Sequence, residues 1–298
     1  MQSRIAVIGL GSMGYGMAQS LLRAGHATYG YDINPQTAER FQAEGGETET
    51  LAGIAETLDV VVVVVLNAEQ TQSVLFGSEG VVARLKPGAA VMACATVAPE
   101  FARRMAARCA EAGVLYLDAP ISGGSKKAGE GALSIMASGS AEAFAAARPV
   151  LDATASTVFE LGDSAGAGSA MKAVNQLLAG VHIAAMAEAM TFGMTQGVAP
   201  ETFVEVISQC AGTSWMLENR APHIVAGDYT PHSSVDIWPK DLGIVLDAAK
   251  SAKFAAPLTA AALQQFLAAS GSGLGHEDDA AVAKVYARNA GLTLPGDA

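Results

Sequence analysis

Residues 4–14 read Arg-Ile-Ala-Val-Ile-Gly-Leu-Gly-Ser-Met-Gly, a short apolar strand pattern that runs directly into a glycine-rich turn. A helical pattern, Met13–Ala24, follows at once. Such a turn needs glycine where the backbone bends tightly and where a pyrophosphate approaches it, and the helix N-terminus attracts the phosphates. Strand, turn and helix in this order predict a dinucleotide-binding turn; the alternative is a glycine-rich turn without a ligand. The candidate cofactor residues of the turn are Gly9, Leu10, Gly11, Ser12, Met13 and Gly14.

The residue that follows the second predicted strand, Ala27–Tyr31, indicates which dinucleotide binds. Asp32 lies 18 residues after Gly14, where a carboxylate takes the hydroxyls of the adenosine ribose. A carboxylate would repel a 2′-phosphate, and no arginine follows it at Ile33 or Asn34. We therefore expect NAD rather than NADP, although Asp32 could also be an ordinary strand-end aspartate.

The first half of the chain alternates short runs rich in Val, Ile and Leu with alanine-rich helical patterns, which predicts an α/β fold with a doubly wound, mostly parallel sheet. After the small polar connector at 162–166, only helical patterns remain. We expect a Rossmann NAD-binding domain at 1–164 and an all-helical domain for substrate binding or dimerisation at 165–298. The further predicted strands are Val60–Leu66, Ala90–Ala93, Val114–Leu117, Leu133–Ala137 and Thr157–Leu161.

One long helix is expected at 167–196, a stretch that lacks proline and consists largely of Ala, Met, Val and Leu. At ~1.5 Å per residue it would be roughly 45 Å long. Its apolar residues surround it, which predicts burial on most sides, either between the two domains or against a second subunit. A homodimer or homotetramer is therefore expected.

Composition excludes several classes of partner. The net charge of −11 argues against nucleic acid and anionic membranes. The three cysteines, at 94, 109 and 210, have no CxxC spacing, so neither a metal site nor a disulfide framework is expected. The chain starts directly with a strand, so we expect no signal peptide, and the longest apolar run, Val60–Leu66, is too short to span a bilayer. These features predict a soluble, cytoplasmic protein.

The candidate catalytic residue is Lys172, near the start of the long helix. Asn175 lies three residues on and shares its helix face, and His182 points close to the Asn175 direction. Oxidation of an alcohol requires removal of the hydroxyl proton, which a desolvated lysine can accept. The alternatives are a structural ion pair for Lys172 and a satisfied core histidine for His182.

Further candidates follow predicted strands. Ser122, Gly123 and Gly124 expose several backbone N–H groups, which suit a carboxylate. Asn67 and Thr96 follow the third and fourth strands, at the edge of the sheet where ligands bind in such folds.

Four segments, 9–14, 118–124, 168–175 and 240–243, resemble in order and separation the four signatures of the β-hydroxyacid dehydrogenase family. The resemblance covers nearly the whole chain. It implies a Rossmann domain followed by an all-helical domain, joined by a long helix, in a dimer or tetramer. It also implies an NAD-dependent oxidoreductase acting on a small hydroxyacid.

The resemblance assigns roles residue by residue. The catalytic lysine of the family falls on Lys172 and its conserved amide neighbour on Asn175. The substrate-anchoring loop falls on 122–124, the cofactor-side hydroxyl on Thr96, and a later lysine that contacts cofactor or substrate on Lys240.

Segments 176–185, 214–220 and 227–231 resemble the branch of this family that acts on four-carbon sugar acids. This implies oxidation of the 2-hydroxyl of L-threonate, with His182, Trp215 and Asn219 as pocket residues. Oxidation of 3-hydroxyisobutyrate and reduction of tartronate semialdehyde remain alternatives within the family. A non-catalytic NAD-binding module and reduction of cyclic imines are further alternatives, and the lysine at 172 argues against both.

Overall fold

The computed structural model describes residues 2–297 and divides into two compact units, one ending at Lys172 and the other beginning at Ala173. The first unit contains a five-stranded, all-parallel sheet in the order β2-β1-β3-β4-β5 and a smaller mixed sheet in the order β6-β7-β8. The strands are β1 (Arg4–Ile8), β2 (Ala27–Tyr31), β3 (Val60–Val63), β4 (Ala90–Ala93), β5 (Leu115–Asp118), β6 (Ile121–Ser122), β7 (Leu133–Ala137) and β8 (Ala155–Glu160).

Helices cover both faces of the parallel sheet. Val60 and Val62 of β3 pack into one apolar core and Val61 and Val63 into another, so this strand is buried on both sides. Continuous apolar strands of this kind are typical of a doubly wound sheet. The helices of the first unit are α1 (Gly14–Arg23), α2 (Pro35–Ala43), α3 (Leu51–Ile54), α4 (Ala68–Phe76), α5 (Pro99–Glu111), α6 (Gly124–Glu130) and α7 (Ala141–Thr154).

The predicted strands are all present, with small differences at their ends. The third strand was expected to reach Leu66 but ends at Val63, and the chain beyond it leaves the sheet. The two-residue strand β6 was not predicted, because Ile121 and Ser122 are too few to form a periodic pattern. Strand β6 pairs antiparallel with β7, which places the loop after Ser122 at a defined position.

The second unit is built from helices. Its core contains Ile183, Met190, Trp238 and Phe266, all essentially inaccessible to solvent. The helix α8 (Ala167–Thr195) starts in the first unit and continues into the second. The remaining helices are α9 (Pro200–Ile207), α10 (Trp215–Ala226), α11 (Ile237–Ser251), α12 (Pro257–Ala269) and α13 (Ala283–Asn289).

Among residues 2–297, α8 is the one helix long and apolar enough, by length and composition, to cross a membrane. Its most apolar 18-residue window has a mean hydropathy of 1.4, and 39% of that window is buried within the protein. Ile183, Met186 and Met190 of this helix lie inside the helical core. The apolar character of α8 is therefore used, at least along this face, to build the interior of a folded unit.

Candidate active site

The glycine turn after β1 has the close contacts that a dinucleotide-binding turn requires. Gly9 has a φ of +97°, and a Cβ there would collide with the carbonyl oxygen of Val64. A Cβ on Gly14 would collide with the carbonyl oxygen of Gly9. A Cβ on Gly11, by contrast, would meet nothing within 4 Å, so this part of the turn is open to a ligand. Helix α1 begins at Gly14, and its N-terminus suits the pyrophosphate of a dinucleotide.

Asp32 lies beside this turn, at the end of β2. Its Oδ2 accepts a hydrogen bond from the backbone amide of Leu10 at 2.7 Å, and its Oδ1 accepts from that of Asn34 at 2.8 Å. The structure thus brings the predicted ribose-binding carboxylate to the glycine turn and fixes its orientation. An open cleft of about 370 Å³ adjoins the turn and is lined in part by Leu10, Gly11, Ser12, Tyr15 and Arg40.

The other predicted cofactor residues of the first unit follow β3 and β4, at the carboxyl ends of the strands. Asn67 is the N-cap of α4, and its side-chain oxygen accepts from the amide of Gln70 at 2.8 Å. Thr96 follows β4 and is partly buried. Because neighbouring parallel strands end at the same edge, both residues lie on the side of the sheet that binds ligands in such folds.

Lys172 is buried, with 8% of its surface exposed, and its amine contacts strand β6. Its Nζ donates a hydrogen bond to the carbonyl oxygen of Ile121 at 2.9 Å. The next residues are Ser122, Gly123 and Gly124, and the two glycines have φ values of +136° and +77°, which side-chain-bearing residues rarely adopt. The structure therefore brings the predicted catalytic lysine to the predicted substrate-anchoring loop.

The start of α8, which carries this lysine, is held by a buried aspartate. Asp118 is 1% exposed, and its carboxylate accepts from the amides of Gly166 at 2.9 Å and Ser169 at 2.8 Å. It also accepts from the hydroxyl of Ser169 at 2.7 Å. The hydroxyl of Ser138 accepts in turn from the amide of Gly168. Burial raises the pKa of Asp118 above its usual value, while the hydrogen bonds from Ser169 act in the opposite direction.

In the second unit, two of the predicted residues belong to one line of polar side chains. Asn175 Nδ2 donates to Gln176 Oε1 at 2.9 Å, and Gln176 Nε2 donates to Asp241 Oδ2. The ammonium group of Lys240 lies 2.6 Å from Asp241 Oδ1. The amide of Asn175 and the charge of Lys240 are therefore linked through Gln176 and Asp241.

The remaining predicted residues are not joined to this line by any hydrogen bond described within residues 173–297. His182 is partly buried on α8. Trp215 opens α10 and is 59% exposed. Asn219 is exposed, and its side-chain oxygen accepts from the guanidinium of Arg220.

Three polar residues with defined positions were not predicted as site residues: Asp118, Gln176 and Asp241. Each stands next to a motif residue or within a motif, but a motif does not specify contacts with segments that are distant in sequence. Asp118 meets Ser169 across 51 residues of sequence, and Gln176 meets Asp241 across 65. Within residues 2–297, no three His, Cys, Asp or Glu side chains come together in a way that could hold a metal ion.

Comparison with known proteins agrees with this geometry. Residues 4–162 match the family model described as the NAD binding domain of 6-phosphogluconate dehydrogenase. Residues 166–286 match the model described as NAD-binding of NADP-dependent 3-hydroxyisobutyrate dehydrogenase. The chain is 52% identical to an L-threonate dehydrogenase of Cupriavidus necator, over the full length of both proteins. It is 48% identical to an L-threonate dehydrogenase of Pectobacterium atrosepticum, covering 98% of this chain and 95% of the relative.

A solved structure shares the fold throughout. The crystal structure of a 3-hydroxyisobutyrate dehydrogenase from Salmonella typhimurium superposes with a TM-score of 0.89 at 48% identity, covering 94% of this chain and 99% of the other. The two family models, the full-length relatives and the glycine turn agree on an oxidoreductase that uses NAD. The chain therefore belongs to the 3-hydroxyisobutyrate dehydrogenase-related family of β-hydroxyacid dehydrogenases.

Proposed function

We propose that this chain oxidises the 2-hydroxyl of L-threonate to the corresponding 2-oxo acid, with NAD as the acceptor. The names of the relatives from Cupriavidus necator and Pectobacterium atrosepticum support this substrate. The observation that carries the chemistry is the buried amine of Lys172, held by the Ile121 carbonyl directly before the Ser122 loop.

In this proposal Lys172 is the acid–base residue. Its Nζ takes the hydroxyl proton of the substrate during oxidation and returns a proton during reduction. NAD, when bound, supplies the carbon that accepts the hydride. Withdrawal from water disfavours the charged form of an amine, which suits a lysine that must accept a proton.

The loop at 122–124 is proposed to hold the substrate carboxylate. The positive φ values of Gly123 and Gly124 belong to turns in which successive backbone N–H groups can converge on an anion. The hydroxyl of Ser122 adds a further donor. This assignment would fix the carboxylate beside the residue before the loop, Ile121, whose carbonyl oxygen holds the amine of Lys172.

The dinucleotide is proposed to lie across the glycine turn, with Asp32 on the adenosine ribose. The further residues proposed to contact it are Asn67, Thr96 and Lys240. For the substrate hydroxyls we propose Asn175, His182, Trp215 and Asn219. The oxygen of Asn219 already accepts from Arg220, so its NH₂ group would be the end that meets a ligand.

A substrate panel tests the proposal, with NAD for the oxidation of the hydroxyacids and NADH for the reduction of tartronate semialdehyde. We expect kcat/KM for L-threonate to exceed that for 3-hydroxyisobutyrate, by as much as ~10⁴-fold if the pocket donors are left unpaired by the aliphatic acid. Activity on 3-hydroxyisobutyrate is the second candidate, favoured by the description of the Salmonella typhimurium structure. If 3-hydroxyisobutyrate or tartronate semialdehyde gives the higher kcat/KM, the threonate assignment is wrong while the family assignment stands.

A homodimer or homotetramer is proposed, since α8 exposes a row of large apolar side chains along one face. Val174 is 54% exposed, Leu178 49% and Phe192 66%. Light scattering after gel filtration tests this assignment. The cytoplasm is the proposed location, because Cys94, Cys109 and Cys210 are free thiols, as is usual in reducing compartments.

We also propose that NAD binding belongs to residues 1–164 and substrate binding or dimerisation to residues 165–298. The two family models, matched at 4–162 and 166–286, support this division.

A further inference from the structure

The hydrogen bonds along the line of polar side chains between α11 and α8 in the second unit all have the same donor-to-acceptor direction. Its first member is the ion pair of Lys240 and Asp241, and its last is the amide of Asn175. Gln176, 8% exposed, lies between them, and Asp241 is only 2% exposed. Water therefore has little access to the middle of the line. Asp241 Oδ2 accepts from Gln176, whereas Asp241 Oδ1 pairs with the charge of Lys240 without a hydrogen bond.

The charge at one end decides which way each amide faces. As the partner of an ammonium group, Asp241 is a carboxylate, and a carboxylate only accepts hydrogen bonds. Gln176 must therefore turn its NH₂ group toward Asp241, which leaves its carbonyl oxygen for Asn175. Asn175 must in turn direct its NH₂ group at Gln176, so its own oxygen, Oδ1, faces away from the line. The hydrogen bonds in the structure have this polarity.

Close packing of the two helices fixes the register in which these groups meet. Gly180 lies one turn beyond Gln176 on α8. A Cβ there would come within 2.8 Å of the Leu242 side chain and 2.9 Å of the Trp238 ring, both on α11. The helices can approach this closely only because residue 180 has no side chain. Gln176 and Asp241 are thereby held opposite each other.

We propose that Asp241 and Gln176 are positioning residues that oblige Asn175 to present its carbonyl oxygen, an acceptor, to a hydroxyl group of the bound hydroxyacid. This rests on the proposed function, in which Asn175 contacts the substrate. An acceptor at this point suits a hydroxyl group, which can donate, and disfavours a carboxylate oxygen, which cannot. The line would therefore help to orient a polyhydroxy acid in one direction only.

The test moves the negative charge from residue 241 to residue 176. Asp241→Asn replaces the carboxylate, which can only accept hydrogen bonds, by an amide that can also donate. Gln176→Glu places two carboxylates next to each other. Each single variant should lower kcat/KM for the hydroxyacid by about tenfold, the effect of losing one hydrogen bond. In the double variant, the carboxylate introduced at position 176 can only accept, so Asn175 must again direct its NH₂ group inward. The double variant should recover to within about threefold of the wild type, since the lost bond is restored.

A second set of variants, made in the Asn175→Ala enzyme, distinguishes a role in orienting Asn175 from a general role in stabilising the fold. In Asn175→Ala enzyme, exchanging residues 176 and 241 in the same way should change kcat/KM for the hydroxyacid by less than about twofold, since no amide remains to be oriented. These assays use saturating NAD, because Asp241→Asn also removes the partner of Lys240, a proposed cofactor residue. Gln264→Glu, at an exposed glutamine of α12, is the control for the same change of side chain and charge elsewhere in the unit. Thermal unfolding and the Kd for NADH are measured for every variant.

Failure of the double variant to recover, or full additivity with Asn175→Ala, would overturn the proposal. Every variant is assayed on whichever hydroxyacid of the panel the wild type oxidises best. If that substrate is not L-threonate, the substrate assignment fails, and the recovery test still decides the role of Asp241 and Gln176.

Discussion

Asp118 accepts hydrogen bonds from both the backbone amide and the hydroxyl of Ser169, at 2.8 and 2.7 Å. Ser169 lies in the first turn of α8, three residues before Lys172. A carboxylate at this position satisfies amides that have no partner within the helix and interacts favourably with the helix dipole. The end of β5 thus fixes the start of the helix that carries the proposed catalytic amine.

We expect Asp118→Ala to destabilise the protein by at least ~2 kcal/mol, because it leaves buried amide donors unpaired. Urea unfolding measures the change. The same variant should lower kcat, since the first turn of α8 is no longer held. Asp163→Ala, at an exposed aspartate of the connector, is the matched control and should change neither value. Wild-type stability in Asp118→Ala would contradict the role given to these bonds.

Lys172→Ala should lower kcat by about 10²–10⁴-fold, the usual contribution of a positioned acid–base group. The Kd for NADH, measured by fluorescence, should stay close to the wild-type value, since the residue is assigned to proton transfer. Lys250→Ala removes an exposed lysine from α11 and serves as the control. Activity within a few-fold of wild type would refute the acid–base assignment.

Asp32 should make the enzyme prefer NAD to NADP by at least ~10²-fold in kcat/KM. At an effective dielectric constant of about 20, two unit charges ~4 Å apart repel by roughly 4 kcal/mol, which solvent reduces. Asp32→Asn should narrow the ratio chiefly by improving the reaction with NADP. Glu39→Gln, an exposed charge change on α2, should leave it unaltered. Equal kinetics of the wild type with both cofactors would disprove this interpretation of Asp32.

The stability of the protein should depend on pH through Asp59. Burial favours its neutral form, but hydrogen bonds from Lys86, at 2.6 Å, and from the Arg4 amide, at 2.9 Å, hold the pKa of this carboxyl below its usual value. A lowered pKa in the folded state stabilises the protein above the ordinary carboxyl pKa of about 3.9. That contribution is lost as the pH falls through the pKa of the folded state.

Asp59→Asn should therefore be less stable than wild type near neutral pH, and the difference should shrink below about pH 4. Urea unfolding at several pH values provides the measurement. Glu56→Gln, at an exposed neighbour, is the control. A difference that is the same at all pH values would show that the charge of Asp59 has no part in it.

Much of the fold could be predicted because its signals are local. The apolar run at Val60–Val63 and the glycine turn at 9–14 each specify their structure within a few residues. The end of β3 was placed too late, since Val64 to Leu66 continue the apolar pattern after the chain has left the sheet. Strand β6 depends on pairing with β7 and has no periodicity of its own.

In the candidate site, too, local features could be predicted from the sequence and long-range contacts could not. The glycine turn and Asp32 belong to the same βαβ unit. The hydrogen bond between the Leu10 amide and the Asp32 carboxylate follows from the geometry of that unit. The bonds from Asp118 to Ser169 and from Gln176 to Asp241 join distant segments, so they depend on how the elements pack. The spacing of these residues in the sequence does not predict the contacts, which only the folded structure shows.

The hydrogen bonds of Asp118 also limit how the protein can be divided. A fragment ending at residue 164 would lack Gly166 and Ser169, which together supply three of the hydrogen bonds to that buried carboxylate. Of the hydrogen bonds from side chains and backbone to that carboxylate, the one from the Ser138 hydroxyl would remain, so the charged form of Asp118 would lose most of its support. During synthesis, likewise, this unit cannot complete its interior until the first turn of α8 has left the ribosome. The first turn of the helix that leads into the second unit is thus a structural part of the first.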